Sequence, residues 1–462
     1  MGAGEPPQGD VTVGIDIGTT SVKAVAAAGD GAVLARARVP HPVLVPEPGA
    51  FEHDVDLAWR DGVLAALGTV AGAIEGPVAA VNVAAMVPSL GAVDAEGRAV
   101  GPGLLYGDHR GGAEGAGPGD SGELLAFLAW QAAATPGAAG YWPAQAVANH
   151  ALTGRGAIDT TTAMTAHPLF DFRDWDAALA AGAGATTAQL PDLVPGAEPA
   201  GRVREGLPAA GALVGGGTID ALAEQLVGGA AEPGDVQVLC GTTLITWGVL
   251  AEPREVPGLW TIPHTVAGRS LIGGPSNAGG LFLEAVRGWL GPVADADVAA
   301  VGPGDLPVWL PYVRGERTPL HRRDLRASLS GLATHHTAAH LLRAAYEASG
   351  FVVRHHLDLA REAGLAPTRI LATGGGTQVP VWLRALADTT GLPVHVAAVP
   401  EGAALGSAFV ARWVAGLEPA MTGAARWAAT GRAVDPDPAW ASAAAERYAA
   451  FRSGTRSAAS PP

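Results

Sequence analysis

Short apolar runs alternate with polar, glycine-rich turns, and the pattern is sharpest at the start of the chain. Val11-Thr12-Val13-Gly14-Ile15-Asp16-Ile17 reads as a buried strand, Gly18-Thr19-Thr20 as a polar turn, and Ser21-Val22-Lys23-Ala24-Val25 as a second strand. Gly29-Asp30-Gly31 predicts a hairpin turn and Ala32–Val39 a third strand, so three antiparallel strands open the chain. A helix over about Val55–Ala73, capped by Asp54, and a strand over Val78–Ala84 come next. A glycine-rich loop from Gly111 to Gly122 and helices over Leu124–Ala134 and Pro143–Leu152 complete the first half.

Pro191–Pro208 reads as a connection between halves, and the pattern then restarts. A short strand, Ala212–Val214, leads through Gly215–Asp220 into a helix over Ala221–Val227. Strands Val236–Cys240 and Leu244–Leu250 flank Gly241-Thr242-Thr243, an echo of the opening unit and the one internal repeat found. Further on the spacing predicts a helix from His336 to about Gly364, a strand Arg369–Ala372, a glycine loop Thr373–Gly376 and a helix Val379–Thr389. A strand Val394–Val396 and a helix Glu401–Val414 end the pattern. The expected organisation is a first domain over 10–228 and a second over 229–453, with loose tails at 1–9 and 454–462.

The opening turn carries candidate chemistry. Successive amide N–H groups in a Gly-Thr-Thr turn form an anion-binding concavity. A carboxylate at the strand end, Asp16, would repel a bare phosphate, so the pairing implies a cation and a metal–nucleotide phosphate site. Lys23 is the only lysine among 29 basic side chains and lies beside this turn. A lysine ammonium suits phosphate; a solvated strand edge is the plainer alternative. Gly374-Gly375-Gly376 offers a surface free of side chains beside a helix start, suited to an adenosine lying against backbone.

Composition narrows the field. With 462 residues, 48% of them hydrophobic, the chain can bury ample core. A net charge of −15 opposes nucleic acid or anionic membrane as a main partner. Cys240 is the single cysteine, so no internal disulfide can form. No apolar run approaches membrane-spanning length, Met1–Asp10 lacks the features of a signal peptide, and Pro6 stands where a myristoylation signal needs Ser or Thr. The expectation is a cytoplasmic protein. No G-x-x-x-x-G-K-[ST] is present, and Gly374–Val379 lacks the third glycine of a dinucleotide fingerprint. Gly274–Ala278 lacks the final glycine of a nucleophile elbow. His336 and His340 stand four apart on the expected helix without a third ligand, which favours a solvated face over a metal site. His335-His336 and His355-His356 read as surface or core edge. Asp220, ending a glycine turn and starting a helix, suits both an N-cap and a base that accepts a hydroxyl proton in phosphoryl transfer.

These segments, in this order, resemble the FGGY family of carbohydrate kinases, nearest its xylulokinase-like pentulose kinases. Asp16–Lys23 looks like the first phosphate motif, Gly215–Asp220 the turn with the catalytic aspartate, and Gly241-Thr242-Thr243 the second phosphate motif. Phe51-Glu52-His53-Asp54 with Trp59, Leu152-Thr153-Gly154, Leu310-Pro311-Tyr312 with Gly315–Pro319, and Glu401–Ala408 are similar to further family segments. The resemblance implies an α/β fold of two actin-like (ribonuclease H-like) ATPase domains flanking a central cleft that holds ATP and Mg²⁺. By carry-over Asp16 would hold the metal. Gly18, Thr19, Thr20, Lys23, Gly241, Thr242 and Thr243 would hold phosphates, and Gly374, Gly375, Gly376 and Gln378 the adenosine side. Asp220 would deprotonate the primary hydroxyl of a sugar, with Met86, Val87, Asp108 and Arg110 around it.

The departures fall in the sugar pocket. The Gln-Met-His-Gly usual in xylulokinases is here Ala85-Met86-Val87-Pro88, and Val87 cannot donate a hydrogen bond. Tyr106-Gly107-Asp108-His109-Arg110 keeps Asp108 and Arg110, and the stretch from Arg110 to Leu124 is short. A D-xylulose kinase is the first expectation and a D-ribulose or other polyol or ketose kinase the second. A sugar-binding regulatory member without turnover and an actin-like filament or chaperone ATPase are the other classes. The expected partner is a small-molecule sugar, with a homodimer allowed.

Overall fold

The computed structural model describes residues 10–111, 123–264 and 268–459. The predicted tail at 1–9, most of the Gly111–Gly122 loop and residues 460–462 lie outside them. The chain divides into two compact units, one of residues 1–227 with 401–427 and the other of 228–400 with 428–462.

In the first unit the strands Val11–Ile17, Ser21–Ala27 and Val33–Pro40 are antiparallel neighbours, as the opening alternation predicts. Val78–Ala85 runs parallel to the first strand, and Leu213–Gly215 parallel to Val78–Ala85. The third strand alternates in burial and covers one edge, whereas Val78–Ala85 is buried throughout, as a central parallel strand must be. The predicted helix after Asp54 is a π-helical turn, Asp56–Asp61, continued by an α-helix, Gly62–Gly72.

The second unit repeats the plan. Asp235–Cys240, Leu244–Leu250 and Ser270–Ser276 are the antiparallel set. Arg369–Thr373 and Val394–Ala397 add in parallel beside Asp235–Cys240. In both units a further strand closes the parallel side antiparallel to its neighbour: Pro199–Arg202 in the first and Thr430–Val434 in the second. The short Gly-Thr-Thr repeat thus marks a repeated sheet topology. This is the actin-like, ribonuclease H-like arrangement, and the fold is mixed α/β.

Four expectations need correction. The helix Gly402–Val414 packs with the first unit, not with a second domain running over 229–453. It lies so close to the first strand that a Cβ on Gly14 would stand 1.9 Å from Ala404 O and 2.2 Å from Ala408 N. Asn82 Nδ2 donates to Ser407 Oγ at 3.0 Å, and that hydroxyl donates back to Asn82 O at 2.9 Å. Pro191–Pro208 is not a link between halves, because it supplies the strands Asp192–Val194 and Pro199–Arg202 to the first unit. The expected tail from Gly454 is helical to Ala459: the helix Pro438–Ala459 buries Tyr448 and Phe451, and Thr455 Oγ1 meets Tyr312 OH at 2.9 Å. His355 and His356, expected at the surface or core edge, are both buried in the helix Ala338–Glu362, and the hydroxyl of Thr318 lies 2.8 Å from His356 Nε2.

The contact at Gly14 leaves no room for a methyl group. Gly14→Ala is expected to cost about 1–3 kcal/mol through overpacking, a fall in Tm of roughly 3–10 °C by circular dichroism. An unchanged Tm would show that the helix does not seat on this strand.

Candidate active site

The first unit gathers charge at the ends of adjacent strands. The hairpin register sets Asp16 opposite Lys23, and Lys23 Nζ lies 3.0 Å from Asp16 Oδ2. Asp16 is buried, and its negative charge raises the lysine pKa above the ordinary value. Thr218–Ile219 pair in parallel with Ala84–Ala85, which brings Asp220 and Met86 to the same sheet end. Asp220 opens the helix Asp220–Val227, and its Oδ1 accepts the next N–H, Ala221, at 2.7 Å. This bond turns the carboxylate back on its own backbone. Loss of water around Asp220 and then the charge of Asp16 push its pKa up to about 6; Lys23 and the Ala221 N–H oppose the rise. Glu224, one turn further along the same helix, also acts on Lys23. Three carboxylates therefore act on one ammonium.

The turn after Asp16 is fixed from several sides. Gly18 N–H donates to Ser21 O at 3.1 Å, and His41 N–H to Thr20 O at 3.0 Å. His53 Nε2 lies 2.8 Å from Thr19 O, and Trp59 Nε1–H donates to His53 Nδ1 at 2.9 Å. The indole N–H occupies the Nδ1 lone pair, so the proton sits on Nε2 and is given to the turn. Burial pushes the His53 pKa down to about 4, which keeps the ring neutral. Thr19 Oγ1 also meets Tyr106 OH at 3.2 Å. His53, Trp59 and Tyr106 hold the turn without a local sequence signature for that work; the one signal is a histidine and a tryptophan six apart around an acidic helix start.

The expected sugar-side residues divide. Met86 is buried and Val87 half-buried, next to the strand end that carries Asp220. Gln145 Nε2 donates to Ala85 O and Thr218 O, both at 3.2 Å, tying the two strand ends together. Asp108 and Arg110 are bound to each other. Arg110 Nε donates to Asp108 Oδ1 at 2.8 Å, and its Nη1 meets Glu52 Oε1 at 2.6 Å. The guanidinium lies over Trp130, 4.7 Å from the ring centroid. Phe51 N–H donates to Asp108 as well, at 2.6 Å. Burial works against the Asp108 charge, but Arg110 and these N–H groups hold its carboxyl below the usual range. The pair closes a loop against Glu52 and Phe51.

In the second unit the two glycine turns lie side by side. Leu239 pairs with Thr373 at the carboxyl ends of parallel strands, the edge where open α/β sheets bind ligands. Gly374 has φ +86° and lies so near Cys240 that a Cβ would stand 2.9 Å from Cys240 O. Gly375–Gln378 form a single tight turn in which Gly375 and Gln378 are exposed. Gly241 N–H donates to Thr243 O at 3.2 Å, while Gly280 N–H and Leu281 N–H donate to Gly241 O and Thr242 O at 2.8 and 3.2 Å.

The histidine pair expected on a helix face is placed differently. His336 precedes the helix, and His340 Nδ1 caps it by accepting from Thr337. Asp305, His335 and His336 offer ligand atoms within 4.8 Å of one another. His336 Nδ1 accepts Ala333 N–H at 3.0 Å, so Nε2 carries the proton and faces Asp305 O. It has no lone pair left for a metal at that nitrogen.

Comparison with known proteins finds relatives along both halves of the chain. The N-terminal domain of the FGGY family of carbohydrate kinases matches residues 11–114, and its C-terminal domain matches residues 236–415. The chain is 31% identical to a xylulose kinase of Streptomyces coelicolor and 30% identical to one of Streptomyces rubiginosus, each over 91% of both chains. It superposes on the crystal structure of a xylulose kinase from Rhodospirillum rubrum with a TM-score of 0.78 at 28% identity, covering 97% of this chain and 98% of that one. No helix among the described residues is long and apolar enough to cross a membrane. With domain matches in both halves and full-length relatives at 30% identity or more, this chain belongs to the FGGY family of carbohydrate kinases.

Proposed function

We propose that the protein transfers the γ-phosphate of ATP to the primary hydroxyl of a ketopentose, D-xylulose, giving D-xylulose 5-phosphate and ADP. The observation that carries this reading is the Asp220 carboxylate, its pKa lifted to about 6 beside Asp16 and Lys23 at one sheet end. A base with that pKa is ionised at neutral pH and still basic enough to take a proton late in the transfer. The names of the full-length relatives favour xylulose, and of its two configurations we choose the D-form.

Asp220 accepts the hydroxyl proton as the sugar oxygen bonds to the γ-phosphorus. The bond to the β–γ bridging oxygen breaks in line, and ADP leaves with that electron pair. Asp16 would hold Mg²⁺, largely through water, with Glu224 nearby; when bound, the ion supplies positive charge to the phosphate oxygens. Lys23 has two duties: it offsets Asp16 and, once a cation shares that carboxylate, it is free to meet phosphate. The Gly18–Thr20 turn offers amides and hydroxyls to phosphate. The Gly241–Thr243 turn and the Gly374–Gly376 loop with Gln378 form the nucleotide side of the second unit. Around the sugar, Met86 and Val87 present apolar atoms, so hydroxyl recognition has to come from Asp220 and neighbouring backbone. Asp108 and Arg110 shape the pocket wall through Glu52.

A coupled assay for ADP across pentuloses, hexuloses and polyols tests the assignment. D-xylulose should give the highest kcat/KM, and the absence of any sugar-dependent ADP release would refute it. Asp220→Asn is expected to lower kcat by ~10²–10⁴-fold while ATP binding by calorimetry is retained. The same change should stabilise the fold. A carboxyl whose folded pKa lies above its unfolded value favours folding when protonated, and that contribution is lost as pH rises through about 6. The stability gain of Asp220→Asn is therefore largest above pH 6 and shrinks toward pH 4. In the wild type, kcat/KM should fall below a pH of about 6. Lys23→Met should move that limb to higher pH by up to about 1 unit, since the cation no longer favours the Asp220 carboxylate. A limb that stays in place in this variant would separate Lys23 from the base.

A further inference from the structure

The loop Arg314–Pro319 contains a buried carboxylate with no part in the transfer chemistry. Glu316 is 1% exposed. Its Oε2 accepts the Ser276 hydroxyl at 2.8 Å, and its Oε1 accepts Asn277 N–H at 3.0 Å and Arg317 N–H at 2.7 Å. The same loop grips the neighbouring segment at two more points. Thr318 donates its N–H and its hydroxyl to Pro275 O, at 3.1 and 2.7 Å. Asn277 Nδ2 donates to Arg314 O and Gly315 O, both at 3.2 Å. Every one of these bonds falls on Pro275, Ser276 or Asn277, except the local one to Arg317.

The residues just after Asn277 give the grip its purpose. Ser276 Oγ accepts Ala278 N–H at 3.0 Å, so a single hydroxyl links Glu316 to Ala278. Gly279 then presses on the second glycine-threonine turn: a Cβ there would stand 2.6 Å from Leu244 N and 2.7 Å from the Thr243 carbonyl carbon. Gly280 and Leu281 donate their N–H groups to Gly241 O and Thr242 O. With those carbonyls drawn toward the helix Gly280–Leu290, the peptide planes of the turn are fixed. Fixed peptide planes fix the direction of the N–H groups on the other side.

We propose that Glu316 is a positioning residue for the donor nucleotide: through Ser276, Asn277 and Gly279–Gly280 it sets the backbone of Gly241–Thr243 against the β- and γ-phosphates. This rests on the reading of Gly241–Thr243 as a phosphate turn. A carboxylate fits the task because three donors converge on it and an acceptor-only group satisfies all of them. Burial pushes its pKa up to about 7, and the donors oppose that rise.

Calorimetric titration of Glu316→Gln, Glu316→Ala and Ser276→Ala with ATP plus magnesium, and separately with AMP, tests the role without a sugar. AMP lacks the phosphates that the turn would meet. Glu316→Gln keeps one acceptor oxygen, so ATP should bind roughly 5–10-fold more weakly in it and weaker still in Glu316→Ala, with AMP affinity within twofold of wild type. General loosening of the unit would weaken both nucleotides together, and that result would overturn the proposal. Gly241→Val separates the two readings. If it weakens ATP binding while the Glu316 and Ser276 variants do not, Glu316 plays no positioning part. If Gly241→Val also binds ATP normally, the turn does not hold phosphate and both readings fall. Should Glu316→Ala not fold, Glu316→Gln and Ser276→Ala decide the matter.

Discussion

The first unit depends on keeping several carboxylates beside one another under cover. The charge of Asp16 raises the Asp220 pKa, and a cation in the group opposes that rise. The hairpin supplies it, because the antiparallel register places the chain's one lysine directly across from Asp16. The balance remains incomplete: the Asp220 pKa stays high, and Glu224 adds a further negative charge. In the proposed reaction this imbalance would draw in a divalent ion and tune Asp220 as the base.

The second unit works through backbone. Its two loops bring few charges, and they sit next to each other because the strands before them are parallel neighbours. Glycine is needed at Gly374 for the left-handed turn and for the approach to Cys240. The repeated topology thus ends in two different settings. One copy has carboxylates and an ammonium at its strand ends, and the other has glycine turns packed against the segment that the Arg314–Pro319 loop holds.

Much of this is legible in the sequence. The opening hairpin, the Gly-Thr-Thr repeat, Asp220 at a helix start and the glycine loop before Val379 all arise from local patterns, and local patterns survive in a linear reading. The failures involve partners far away in the chain. Nothing near Gly402 says that its helix packs on residues 13–17, because the decisive fact is the lack of a side chain at Gly14. Residues from Gly454 read as a tail, yet they continue the helix Pro438–Ala459, and Gly454 lies against Leu310. His53, Glu316 and His356 share one difficulty. Each is a polar residue whose burial is acceptable only because of specific donors and acceptors, and those come from segments tens of residues away. Asp108 and Arg110 show the converse: motif position suggests sugar contacts, and geometry commits both to each other.

The helix Gly402–Val414 has a further implication for biosynthesis. It completes the packing of a unit whose other segments end at Val227. A ribosome making this chain must therefore release some 170 intervening residues before that unit can close over its first strand. During this interval the nascent opening hairpin has an uncovered apolar face, open to chaperones. The second unit is likewise completed only by a later segment, residues 428–462.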